Sequence, residues 1–126
     1  MRIAVLVTAV LSMCLGASGA DSNPYLKLTS VMKDGKFLIS VKNVSHKPIV
    51  AYVIGCEDGG HSATHHGVYT GRDVFAAGKT VKVVFAAQSA SSTPKVFVDY
   101  VRLADSSSWG DPVTEDGKEV AARFQK

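Results

Sequence analysis

The sequence predicts an antiparallel β-sandwich of six or seven short strands with a short helix at the C-terminal end. Three observations predict it. Over residues 37–56, apolar side chains recur at every second position on both sides of a polar interruption at 43–48, the pattern of two paired strands joined by a turn. Further alternating runs follow at intervals of about ten residues, with turn-forming residues between them. Only the stretch from Asp111 onward leaves the two-residue period for a helical one. A small β-barrel is the alternative architecture.

The chain opens with Arg2, an apolar run at 3–11 and a small-residue tract at 16–20 that precedes polar Asp21 and Ser22. A charged start, a short apolar core and small residues at a cleavage point make a secretory signal peptide over residues 1–20, cut after Ala20. The apolar run is too short for a membrane span. Cys14 follows it in the manner of a lipoprotein signal, but Met13 is a poor match to the small residue such signals take before their cysteine. Secretion or periplasmic export is therefore the expectation, with lipid anchoring through Cys14 the lesser reading. The remaining residues, 21–126, have the size of one domain with one core.

In order, residues 24–32 alternate imperfectly and end at Lys33-Asp34-Gly35-Lys36, where Asp-Gly supplies the positive φ of a tight hairpin turn. Strands follow at 37–44 and 49–56, with Pro48 tolerated at the start of the second. In this register Ile49, Ala51 and Val53 share a face opposite Val50, Tyr52 and Ile54. Residues 57–67 hold three glycines, three histidines and almost nothing apolar, which reads as a loop with at most a short edge strand. A strand over 80–86 places Val81, Val83 and Phe85 on one face. The polar connector 88–94 leads to a strand over 95–103, apolar on both faces, with Phe97, Val101 and Leu103 set against Val96, Val98 and Tyr100. Trp109 begins a short return strand. Asp111-Pro112 has the form of an N-cap and first helical residue, and Val113, Val120, Ala121 and Phe124 share a helical face. Gly117 weakens that helix by about 1 kcal/mol relative to alanine.

The 14 basic and 11 acidic residues give a formal charge of +3, which falls to +2 once Arg2 leaves with the signal. The lysines are dispersed along the sequence, one per strand or turn, so no basic stripe for nucleic acid or an anionic membrane is legible. Cleavage removes Cys14 and leaves Cys56 alone, without an internal disulfide; its simplest role is that of a small buried hydrophobe.

The run Val41-Lys42-Asn43-Val44-Ser45-His46-Lys47-Pro48-Ile49, the turn Phe75-Ala76-Ala77-Gly78 before Val81, and the stretch from Val98 through Asp105 and Trp109-Gly110 to Asp111 resemble small secreted bacterial proteins of an uncharacterised family. The resemblance implies an immunoglobulin-like β-sandwich and an exported location, and brings no catalytic residue with it. The paired cysteines of antibody domains are missing, and the histidine segment is not a family feature.

That segment holds the one constellation with metal or catalytic chemistry. His61, His65 and His66 lie just after Cys56, Glu57 and Asp58, and imidazole, thiolate and carboxylate are all ligands for zinc or copper. The spacing matches no standard zinc pattern, and His65 and His66 point to opposite faces wherever the backbone is extended. The plainer reading is a solvated polar loop. A blue-copper centre also requires a methionine from a separate element, and the mature chain offers only Met32. A weak hydrolase would combine Cys56, or a serine of the 89–92 tract, with His61 or His65 and Asp58, a combination many polar loops allow. Asn43-Val44-Ser45 has the glycosylation form, but the same residues make a turn. Trp109 and Tyr100 suggest either an aromatic platform or a lid on the core. The sequence thus points to a non-catalytic exported sandwich without a resident cofactor, binding a protein partner through loops or strand edges, with metal binding at His61, His65, His66 and Cys56 as the alternative.

Overall fold

The computed structural model describes residues 23–88 and 93–125; the signal segment, Cys14 and the 89–92 tract lie outside them. The described chain is an all-β sandwich of two antiparallel sheets. Strands β1 (Leu26–Lys33), β2 (Lys36–Asn43) and β5 (Thr80–Ala86) form one, in the order β1-β2-β5. Strands β3 (Ile49–Asp58), β4 (His61–Val68), β6 (Lys95–Leu103) and β7 (Ser108–Trp109) form the other, in the order β4-β3-β6-β7. A single helix, α1 (Glu115–Arg123), packs on β3, β4 and β6.

Two apolar layers result. Phe37, Ile39, Val41, Ile49, Tyr52, Ile54, Phe75, Val101 and Leu103 fill the space between the sheets. Ala51, Val53, Tyr100, Val120 and Ala121 form a second cluster under α1. Each fully buried aliphatic side chain among these contributes about 1.5–3 kcal/mol of transfer free energy.

Residues 57–67 are not a loop. Gly59 and Gly60, with φ of 58° and 90°, make the two-residue turn of a hairpin, and the polar residues after them form β4, paired with β3 from Asp58↔His61 to Ala51↔Val68. Two consecutive positive-φ residues match the right-handed strand twist. An edge strand facing water needs no apolar side chains, so polar composition was misleading there.

Strand β6 carries a β-bulge. Val53 pairs with Tyr100 but Ile54 with Val98, which leaves Asp99 unopposed. The alternation therefore slips by one residue. Val98, Val101 and Leu103 all enter the inter-sheet core, while Tyr100 joins the helix layer, so Phe97 does not share a face with Val101 and Leu103. A second shift between Ile49 and Ala51 places Ile49 with Tyr52 and Ile54, and not with Ala51 and Val53.

The bulged Asp99 also fixes where the helix starts. Its carboxylate, 4% exposed, accepts hydrogen bonds from the Val113 and Thr114 backbone N–H groups at 2.9 and 3.1 Å and from the Thr114 hydroxyl. Thr114, not Asp111, is consequently the N-cap, and its side chain accepts from Gly117 N at 2.9 Å. A Cβ at Gly117 would collide with Asp99 Oδ2, which explains a glycine inside a nine-residue helix. Glu115 and Asp116 in the first turn and Arg123 in the last complement the helix dipole. Arg102 closes the far end with its guanidinium 5.3 Å from the Phe124 ring centre.

Candidate functional site

The β3–β4 hairpin carries the histidines, and its pleat decides what they can do. Side chains alternate across the sheet, so Tyr52, Ile54 and Cys56 of β3 share the core-side face with His61, His65 and Gly67 of β4. Gly67 lies opposite Tyr52, and a Cβ there would sit 2.5 Å from the phenol ring. Its absence lets the ring lean across the strand, so that Tyr52 Oη and His65 Nε2 are hydrogen-bonded at 3.2 Å. Burial, with the neighbouring Tyr69 second, pushes the Tyr52 phenol well above its ordinary range. Burial likewise holds the His65 imidazole below its ordinary value, His66 adds to that, and Asp116 partly opposes it.

His66 faces the other way. Its Nδ1 lies 3.0 Å from Asp116 Oδ2 on α1, a contact that fastens the edge strand to the helix. His61 is exposed at the turn, paired in register with Asp58, whose carboxylate accepts from Gln88 N at 2.8 Å. Cys56 is 4% exposed, and burial, followed by Asp58 and Glu57, pushes its thiol up. That is the protonated, unactivated form.

The structure therefore brings Cys56, His61 and His65 to one face and sends His66 to the opposite one. The four do not gather into a centre, and among the described residues no group of three or more His, Cys, Asp or Glu side chains is placed to hold a metal ion. Nor is Cys56 hydrogen-bonded to an imidazole among them; the serine tract at 89–92 lies outside the description. A cleft of about 420 Å³ opens between the hairpin and the start of α1, lined by Glu57, Thr64, Phe97, Thr114, Glu115 and Asp116.

Asn43 acts as the organiser of its turn. Fully buried, it donates through Nδ2 to Lys47 O and Phe75 O, both at 2.9 Å, and accepts at Oδ1 from Ser45 N and Ser45 Oγ. Trp109 packs on the inter-sheet core while Tyr100 sits under the helix, so the two rings form no common platform.

Sequence reasoning missed two surfaces. One is β4 itself, an outer strand of the four-stranded sheet. The other is the outer face of the three-stranded sheet, where lysines dispersed in the sequence are brought together by register. The signal for the second was present in the odd-even placement of Lys27, Lys42 and Lys82, but only strand pairing makes them neighbours. Compared with protein-family models, curated proteins and solved structures, the chain matches none of them. No helix among the described residues is long and apolar enough to cross a membrane.

Proposed function

We propose that the chain is a non-catalytic, exported binding domain with an immunoglobulin-like arrangement, and that it captures an extended segment of a partner protein along β4. Strand order supports the arrangement. Constant-type immunoglobulin domains set strands 1-2-5-4 against 3-6-7, and here the fourth strand pairs with the third instead, leaving the other neighbours unchanged.

The observation that carries the binding reading is the character of the β4 edge. Natural sheets protect their edges with lysine, proline, bulges or brevity. The outer strands β1 and β5 carry Lys27, Lys33 and Lys82, and β7 has only two residues. Strand β4 runs for eight residues, His-Ser-Ala-Thr-His-His-Gly-Val, in unbroken register with β3 and without lysine or proline. Such an edge has the backbone donors and acceptors for one more strand, with side-chain selectivity from alternate positions. Support for the metal reading is weaker, because strand alternation sends His66 to the face opposite Cys56, His61 and His65, and no three of the four are placed to share an ion among the described residues.

Peptides selected for binding from a displayed random library test the proposal. Bound peptide is expected to slow hydrogen exchange at β4 amides, and Ser62→Lys with Thr64→Lys is expected to abolish binding while leaving the melting temperature within a few degrees. Selected peptides that leave β4 exchange unchanged, or that bind the double-lysine variant equally well, would sink it.

A further inference from the structure

The outer face of the three-stranded sheet is built from four cross-strand rows. In register they read Lys27-Lys42-Thr80, Thr29-Ser40-Lys82, Val31-Leu38-Val84 and Lys33-Lys36-Ala86. Five of these twelve side chains are lysines and none is acidic. The acidic residue of the β1–β2 hairpin, Asp34, lies in the turn between the strands. Among the described residues no ion pair neutralises any of the five; Lys82 Nζ donates to Ser40 Oγ at 2.9 Å. The opposite sheet and helix carry six carboxylates, Asp58 and Asp99 buried among them, against the four basic residues Lys95, Arg102, Lys118 and Arg123, so the excess of positive charge lies on the three-stranded sheet.

Two features of this face work against stability. Lys27 stands directly opposite Lys42, and Lys33 opposite Lys36, and like charges in directly opposed positions destabilise a sheet. The third row exposes aliphatic surface, with Val31 60% and Val84 56% exposed beside the half-buried Leu38. Lysines in the rows on either side of an exposed aliphatic row, with a shallow concavity of about 280 Å³ between Lys27, Lys42 and Lys82, match a surface that presents anionic headgroups and is apolar just beneath. Nucleic acid fits less well, since the face has no arginine, aromatic or amide side chain to stack on or read a base.

We propose that this face docks on an anionic lipid surface: the five lysines pair with headgroups while Val31, Leu38 and Val84 press into the interface. Each lysine close to a negatively charged leaflet strengthens binding by about fivefold, and the attraction falls with ionic strength. The test is co-sedimentation of the mature chain, residues 21–126, with vesicles of phosphatidylglycerol and phosphatidylcholine in equal parts, beside vesicles of phosphatidylcholine alone. Binding is expected only to the first and is expected to weaken with added salt. Replacing Lys27, Lys42 and Lys82 by glutamine is expected to weaken it by about a hundredfold, and Val31→Ser with Val84→Ser to weaken it further at unchanged charge. Lys118→Gln with Arg123→Gln, on the helix, serves as the control and is expected to bind as the parent does. Circular dichroism of each variant keeps loss of binding separate from loss of fold. Absence of binding to the anionic vesicles, equal binding by the folded triple variant, or binding to a soluble polyanion such as dextran sulfate that matches the vesicles and ignores the valine changes would each overturn the assignment.

Discussion

At the scale of single residues, His65 is the side chain whose environment makes the sharpest prediction. It is held below its ordinary value mainly by burial, next to the Tyr52 hydroxyl. The unfolded chain therefore takes up its proton first as pH falls, and stability drops between the ordinary histidine value of about 6.5 and the lower folded one, levelling off beneath it. His65→Gln is expected to flatten the fall in melting temperature from about pH 7 to about pH 5. An unchanged slope would mean that another group carries the acid sensitivity. Asn43 illustrates a residue whose role was half legible: the turn was visible in Asn-Val-Ser, but the two carbonyls it satisfies include Phe75 O from a distant segment. No local pattern reveals a partner 32 positions away.

At the scale of elements, α1 and the β6 bulge are one device. Helix propensity alone predicts that Gly117→Ala stabilises the protein by about 1 kcal/mol. The Asp99 carboxylate packed against Gly117 predicts the reverse, a loss of about 1–3 kcal/mol from overpacking. The discriminating measurement is a double-mutant cycle by urea denaturation: in an Asp99→Ala background the alanine is expected to lose most of its cost. A stabilising Gly117→Ala in the parent would show that the helix start is free to shift. The bulge was hidden in the sequence because Asp99 is flanked by Val98 and Tyr100 and reads as an ordinary position in an alternating run. Strand existence was easy to read and strand phase was not: apolar alternation survives a one-residue slip, but every residue after it changes sides. β4 failed for the opposite reason, as its pairing rests on the Gly59-Gly60 turn and backbone hydrogen bonds, with almost no apolar side chain to announce it.

For the whole molecule, the sandwich divides its charge as well as its core. The three-stranded sheet has five outward lysines and no carboxylate, while the sheet-and-helix side sets six carboxylates against four basic residues, so a chain of small net charge carries its positive excess on one face. Composition could exclude a globally basic protein and could say nothing of this, because separation of charge is a property of register. The proposed β4 contact belongs to the four-stranded sheet and the lysine face to the other. A partner segment and a lipid surface could therefore be engaged at the same time.

The helix has a further consequence as a cover. It shields Ala51, Val53 and Tyr100, an apolar strip on the outside of the four-stranded sheet, and it supplies the backbone donors around Asp99 through the segment before it. A chain stopped after Gly110 is expected to uncover that strip, at about 1.5–3 kcal/mol for each large side chain, and to self-associate in sedimentation velocity where the full chain does not. A monomeric, cooperatively melting truncation would show that the sheet tolerates an open face. Otherwise the last turns of the protein act as its seal: a single proteolytic nick between strand and helix would free the cover that Val120 and Ala121 place over the strip.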